Sequence, residues 1–148
     1  MTPEPPPIDP PCNTIMYRTI RRKDWFDPDD DSRVKAEAFL RRPPKLAHDG
    51  VVVDPMDSDG LSVVDSFHMD MRACIEDTLS CYGVATLHVG RIRALGLRVI
   101  RDPQDQRKLL ITDMPFQNPN DASQEALADA VAESARIGIR CTHKRRGH

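Results

Sequence analysis

The chain has 148 residues, of which 39% are hydrophobic and 30% charged, and its formal net charge is −2. This length suits one domain that buries a core without metals or disulfides. A near-neutral charge gives no field that would gather nucleic acid or an anionic membrane. No apolar run approaches the roughly 20 residues of a membrane helix, so no membrane partner is expected.

The four cysteines are Cys12, Cys74, Cys81 and Cys141, and they form neither a CxxC pair nor a zinc pattern with histidine. The N-terminal residues are acidic and proline-rich, without the basic and apolar regions of a secretory signal. We therefore expect reduced thiols in a bacterial cytoplasm, with no metal site and no bound cofactor.

The first part of the chain predicts a tail and one strand. Residues 1–12 contain six prolines, which lack the N–H that sheets and helices need, so they predict an extended, disordered tail. The β-rich residues Asn13–Ile20 predict a strand. Arg18 falls on the same face of that strand as Met16 and Ile20, and a charge there needs a partner or a cleft.

The next segments are short and less regular. Trp25 and Phe26 are expected to cover the core from a loop. Val34–Arg42 favours a short strand or a turn. Val51–Val53 is a short apolar run before a cluster of turn residues, and Leu61–Val64 reads as another strand.

The stretch from Gly83 to Pro103 is expected to organise the core. It predicts a strand at Val84–Val89, a short helix around Arg91–Leu95 that Gly96 ends, and a strand at Leu97–Arg101. A helix is predicted before it over Ser66–Cys81, with Ser66 as N-cap and Gly83 in the left-handed position after its end.

The last part of the chain predicts a strand, a helix and a tail. Leu109–Thr112 is the strand, Asp121–Ile139 is the helix with Asp121 as N-cap, and residues 141–148 are a basic tail. The pattern predicts an α+β fold in one domain over residues 13–140. Its small mixed sheet would have five to six short strands, with two main helices packed on it. The first helix would make one parallel crossover between Leu61–Val64 and Val84–Val89.

Motifs for a nucleotide loop, a metalloprotease or a hydrolase elbow do not occur in the sequence. Polar residues at element ends remain. The catalytic candidates are Arg18, Ser62 and His88; the ligand-binding candidates are Arg41, Arg42, Asp102 and Lys108; the candidate glutamates are Glu37, Glu76 and Glu125.

These residue types have a chemical use and a structural alternative. An arginine beside a strand-borne serine can hold a phosphate or a dinucleotide, and a histidine titrates near neutral pH. The alternatives are an arginine that reaches solvent at the sheet end, a strand histidine with a local hydrogen bond, and a solvated lysine at Lys108.

Several short motifs follow one another in a fixed order. They are YR at 17–18, AF at 38–39, DGLSV at 59–63, GVATLHVGRIRALGLRVIRDP at 83–103, LLI at 109–111 and an alanine-rich segment at 126–136. In this order the chain resembles a family of small, uncharacterised bacterial proteins. That family usually carries a histidine before the final strand, where this chain has Lys108. The resemblance implies the fold boundaries and no activity.

A second resemblance concerns only two residues. Arg18 in its YR context and Ser62 on a later strand are similar to those of ADP-ribosyltransferase-like and RES-type toxins that consume NAD. This resemblance implies NAD as a substrate and one catalytic glutamate, although no glutamate motif is recognisable in this chain.

The motifs that are missing favour an accessory or binding domain in a bacterial defence, mobile-element or toxin–antitoxin-like setting, with a protein or a small molecule as partner. The alternatives are an NAD-dependent ADP-ribosyltransferase or glycohydrolase, and weak nucleic-acid binding through Arg21–Lys23, Arg41–Arg42 and Lys144–Arg146. The charge balance disfavours the nucleic-acid alternative. An exposed apolar strand edge would favour a homodimer, but the sequence does not identify that edge.

Overall fold

Six antiparallel strands form the main sheet, and a separate two-stranded ribbon lies outside it. The computed structural model describes residues 9–30, 32–54, 56–57, 59–76, 81–117 and 121–140. Its strands are β1 (Ile15–Ile20), β2 (Lys45–Leu46), β3 (Val52–Asp54), β4 (Leu61–Asp65), β5 (Gly83–His88), β6 (Val99–Arg101), β7 (Lys108–Ile111) and β8 (Arg136–Arg140). Its α-helices are α1 (Met71–Glu76), α2 (Val89–Ala94) and α3 (Ala122–Ser134), and 3₁₀ turns span Lys23–Trp25 and Ala36–Phe39.

The strand order of the main sheet is β6-β7-β4-β1-β5-β8. The α+β class and the six strands are as predicted, but the sequence predicts a mixed sheet, whereas every adjacent strand pair in this sheet is antiparallel. The sequence also predicts two main helices, whereas among the described helices only α3 is long. β4 and β5 run in the same direction, with β1 between them. The connection through α1 is therefore a crossover between two parallel strands, as predicted, and it passes over β1.

Both faces of the sheet are covered. One face, here called the main face, packs against α2, α3 and the Ala36–Phe39 turn, and it carries Met16 and Ile20. The opposite face, here called the second face, carries Tyr17 and packs against α1. The core strands are buried as predicted, with relative exposures of 0% for Val84, Leu87 and Ile111 and 2% for Val99. Phe26 belongs to this core and Trp25 packs against it, as predicted.

The C-terminal helix is shorter than predicted. Asp121 caps α3, as expected, because its carboxylate accepts a hydrogen bond from the Ser123 N–H. The helix ends at Ser134, and Arg136–Arg140 forms β8 instead of continuing it. Ile137 and Ile139 pair with the open edge of β5. These strand pairs outweigh the local helix preference of the segment, so the predicted helix end at Ile139 is wrong.

The first helix also begins later than predicted. Asp70 rather than Ser66 caps α1, because its carboxylate accepts from the Ala73 N–H at 2.8 Å. The predicted part at residues 77–80 lies outside the described residues. Gly83 is part of β5 and has no left-handed conformation, whereas Gly96 has a φ of 88° and ends α2 as predicted.

Two further segments complete the comparison. Of the predicted short strand or turn in Val34–Arg42, the structure has the turn, a 3₁₀ segment at Ala36–Phe39, and Val34 forms an isolated bridge with Phe26. The predicted tails at 1–12 and 141–148 lie mostly outside the described residues. The described end of the first tail packs on α2, where the Gly90 N–H donates to the carbonyl of Cys12 at 2.8 Å.

Two glycines allow β8 to pack closely, and they give a test of the fold. A Cβ at Gly83 would lie 2.7 Å from the backbone oxygen of Ile139, so Gly83→Ala would push β5 and β8 apart. We expect a loss of about 1–3 kcal/mol in the free energy of unfolding, measured by urea denaturation. Gly138→Ala is the matched control, because its Cβ would meet the flexible end of Met71, which can move aside. Equal losses in both variants would contradict the close backbone approach.

Candidate functional site

Arg18 lies inside the protein rather than in a cleft. Its side chain is on the main face and the residue is 8% exposed. Nε donates to the carbonyl of Ala38 at 2.8 Å, and Nη1 donates to the carbonyl of Ser62 at 3.1 Å. The guanidinium carbon lies 5.7 Å from the centre of the Trp25 ring. Loss of solvation on burial lowers the pKa of Arg18 to about 10, so the group stays charged at neutral pH.

Ser62 and His88 lie on the second face. Ser62 alternates along β4 with Leu61 and Val63, which belong to the main core. His88 ends β5 and alternates with Leu87, which also belongs to that core. Arg18 therefore reaches the backbone of Ser62 but shares no surface with its hydroxyl. An NAD-consuming site built from these residues would need all of them on one surface.

The candidate glutamates are also apart from one another. Glu76 and Glu125 are exposed, on α1 and near the start of α3. Glu37 lies in the 3₁₀ turn beside Ala38, the residue whose carbonyl accepts from Arg18. Glu37 is thus the one candidate glutamate that lies in the same turn as a hydrogen-bond partner of Arg18. It lines a groove that is open to solvent.

Two shallow cavities share Glu37 and Lys35, with volumes of about 540 and 320 Å³. The lining carries charges of both signs, and its two arginines pair locally, Arg22 with Asp24 and Arg33 with Asp30. Ligand pockets are usually lined mainly by apolar side chains with a few polar groups, and this groove is not.

Arg42 has a defined partner in Asp57. The Asp57 carboxylate accepts from the Arg42 backbone N–H at 2.7 Å and from Nε and Nη2 at 3.1 Å each. The Asp57 N–H also approaches the Arg42 carbonyl, at 3.4 Å. These bonds close the base of segment 43–56, which contains β2 and β3. We call this pair the base clamp.

The charge of Asp57 depends on the base clamp. Burial raises the pKa of Asp57, but the hydrogen bonds from Arg42 and the charges of Arg42 and Arg18 outweigh burial, and the pKa is lowered overall. The same hydrogen bonds raise the pKa of Arg42. Both groups are therefore ionised at neutral pH, and the clamp is an ion pair.

The other predicted ligand-binding residues make hydrogen bonds or stacking contacts with neighbouring parts of the fold. Arg41 donates from Nε to the Met114 carbonyl and stacks on Phe116, with 3.9 Å to the ring centre. Asp102 and Lys108 meet at the turn between β6 and β7, where the Asp102 N–H donates to the Lys108 carbonyl at 3.0 Å. The arrangement therefore places Arg41 beside the base clamp and the other two residues in a hairpin turn.

Two of the basic residues proposed for nucleic acid form ion pairs, Arg22 with Asp24 and Arg42 with Asp57. Arg41 stacks on the ring of Phe116. The third predicted segment, Lys144–Arg146, lies outside the described residues. Paired cations add little to the salt-dependent attraction that nucleic-acid binding needs.

The β2–β3 ribbon carries the most exposed aliphatic side chains of the described strands. Leu46 is 58% exposed, Val51 59%, Val52 52% and Val53 64%. Leu46 lies opposite Val52, whereas Val51 and Val53 alternate with Val52, so both faces of the ribbon are apolar. Contiguous exposed apolar surface marks interaction sites, and a lone two-stranded hairpin is marginally stable in water.

The sequence contained a weak signal for this ribbon. Three consecutive valines between turn residues form an apolar run that indicates a strand. The pattern gave no reason to expect exposure, because such runs usually pack in a core.

No group of three histidine, cysteine, aspartate or glutamate side chains in the described part of the chain could hold a metal ion. None of its described helices is long and apolar enough to cross a bilayer. Comparison of the chain with protein-family models, curated proteins and solved structures gives no match.

The bonds of Arg18 predict a specific need for a guanidinium. In Arg18→Lys the charge is kept, but one ammonium cannot serve both the Ala38 and Ser62 carbonyls with the same geometry. We expect the free energy of unfolding to fall by about 1–3 kcal/mol in urea denaturation. Arg22→Lys, at an exposed ion pair, is the control and should change it by less than about 0.5 kcal/mol. Similar values for both would contradict the assigned role of Arg18.

The base clamp predicts a pH dependence. Because the pKa of folded Asp57 is lowered, its stabilising effect is present above the unfolded value of about 3.9 and is lost as pH falls through the folded value. We expect Asp57→Asn to be less stable than the parent protein at neutral pH. The difference in urea midpoint should shrink on acidification. A difference that stays constant down to about pH 3 would argue against an ionised clamp.

Proposed function

We propose that this protein is an accessory domain that binds another protein through the β2–β3 ribbon. The observation that carries the proposal is the apolar surface on both faces of the ribbon, formed by Leu46, Val51, Val52 and Val53. Because the two faces point in opposite directions, a flat surface on a partner would cover only one of the two apolar faces. The partner that fits is a protein with a cleft or an extended apolar segment.

The chemistry of the ribbon favours a protein over other partners. Aliphatic side chains offer nothing that recognises phosphate or base edges, which disfavours nucleic acid. The turn at the tip carries His48 and Asp49, and a carboxylate at a leading tip is costly in a bilayer. A protruding ribbon is also convex, whereas small-molecule sites are concave.

The energy available from the side chains is modest. Burying an exposed aliphatic side chain contributes about 1.5–3 kcal/mol, and each of these is already partly covered, so each adds on the order of 1 kcal/mol. Four such residues supply less than the roughly 8 kcal/mol of a micromolar complex. Backbone hydrogen bonds at the strand edge or further surface would have to add to them.

The base clamp supports binding by fixing the ribbon. Arg42 and Asp57 hold its two ends together before any partner arrives. A contact element that is already ordered loses less conformational entropy on binding. The lack of nucleotide-loop, metalloprotease and hydrolase motifs in the sequence supports an accessory role in a cytoplasmic defence, mobile-element or toxin–antitoxin-like system.

A photo-crosslinking residue tests the proposal in the native cell. Placed at Val53, it should form an adduct with a distinct protein. The control is the same group at Gln124, an exposed position on α3, which should not form that adduct. Adding Val51→Lys to the Val53 variant should abolish the adduct, because a charge on the same face opposes burial. Equal adducts from both positions, or adducts only with copies of the protein itself, would refute it.

A further inference from the structure

We propose that β3 pairs with β3 of a second copy, so that two ribbons form one four-stranded antiparallel sheet. This inference rests on the proposed function, since it concerns the same ribbon and describes the surface that the partner protein would meet.

The outer edge of β3 is suited to strand pairing. The Ala47 N–H donates to the Val51 carbonyl at 2.9 Å, which directs that carbonyl towards β2. Main-chain groups alternate in direction along a strand, so the N–H and carbonyl of Val52 point away from β2. Among the described strands, β3 pairs only with β2.

The central part of the edge lacks the features that usually prevent pairing. Natural edge strands are protected by charges, prolines or inward-pointing polar groups. Residues Val51–Val53 contain none of these, and valine favours strand conformation, whereas the charge of Asp54 and the proline that follows it in the sequence lie at the end of the strand. The side chains are also exposed, so nothing in the described chain covers this edge.

A second copy of β3 fits this edge in direction. A two-fold axis makes a strand antiparallel to its own copy, which continues the antiparallel order of the ribbon. With the axis at Val52, Val51 faces Val53 of the other copy, and Asp54 faces Gly50. No two carboxylates face each other in this register.

The edges of the main sheet are less suited to pairing with their own copies. On β8, with the axis at Gly138, the same operation would place Arg136 opposite Arg140, and like charges directly opposite each other destabilise a strand pair. On β6, the outward carbonyl of Val99 already accepts from Arg93 Nη2 at 3.5 Å. Neither edge of the main sheet therefore offers what the outer edge of β3 offers.

The small area of the contact limits the affinity of the dimer. One ribbon edge offers far less than the roughly 800 Å² per partner of a standard interface, so the dimer should be weak and depend on concentration. Pairing joins two two-stranded ribbons into one sheet of four strands. A sheet needs three or more strands to be stable by itself, so the dimer also stabilises the ribbon. The result is a continuous apolar sheet for the partner protein.

Disulfide trapping tests the register. In this register Val51 and Val53 of the two copies form a non-hydrogen-bonded pair, whose β-carbons are about 4.5 Å apart and suit a disulfide. Val51→Cys and Val53→Cys are therefore made separately in a background with Cys12→Ser and Cys141→Ser. Oxidised glutathione should convert their mixture to a covalent dimer on a non-reducing gel, whereas neither variant alone should cross-link. Equal cross-linking by Val51→Cys alone and by the mixture would overturn the register.

Sedimentation equilibrium tests the dimer itself. The parent protein and a Val52→Thr control should show a monomer–dimer equilibrium. Val52→Pro, which removes the outward N–H, should remain monomeric with an unchanged urea midpoint for the main sheet. A parent protein that is monomeric at submillimolar concentration overturns the inference. If it still forms the Val53 photo-adduct with another protein, the proposed function survives. A dimer whose photo-adducts contain only its own copies upholds the inference and refutes the proposed function.

Discussion

The buried guanidinium of Arg18 is the contact on which the geometry of the β2–β3 ribbon depends. From the centre of the sheet it donates to a carbonyl on β4 and to a carbonyl of the Ala36–Phe39 turn. That turn leads directly to Arg41, which is fixed on Phe116, and to Arg42, which holds Asp57. The ribbon therefore leaves the body from a chain segment that is hydrogen-bonded back to the middle of the sheet. A charge in a core is costly unless hydrogen bonds replace its hydration, and here main-chain oxygens do so.

A second buried arginine, Arg101, is also held by hydrogen bonding to a defined partner. Arg101 on β6 donates to the carboxylate of Asp65 on β4 at 2.6 Å, across the intervening strand β7. Both side chains are nearly fully buried. A buried pair of this kind is weak evidence for stability, but losing one partner would leave an uncompensated charge in the core. The main face thus combines branched aliphatic packing with two arginines whose partners fix the positions of three strands.

The sequence predicted those parts of the fold that depend on local pattern. The strand beginning near Val84, the helix closed by Gly96 and the cap at Asp121 each follow from side chains within a few residues. The face of Arg18 also followed from simple alternation. Its partners did not, because the carbonyls of Ala38 and Ser62 lie in segments far from Arg18 in the sequence, and only the folded chain brings them to it.

The elements that sequence reasoning missed depend on distant parts of the chain. Residues 136–140 form a strand because β5 offers an unpaired edge, and no property of the segment alone reveals that edge. Exposure of Val51–Val53 likewise depends on the main sheet being completed by other strands. Ser62 and His88 were grouped with Arg18 by residue type, but strand alternation places their side chains on the opposite face.

The base clamp makes the stability of the main sheet largely independent of the residues in the ribbon. Arg42 and Asp57 already hold the two ends of segment 43–56 together. The entropy cost of closing this loop therefore depends little on the residues between them. The intervening residues are thus free to change in length and composition while the sheet keeps its fold.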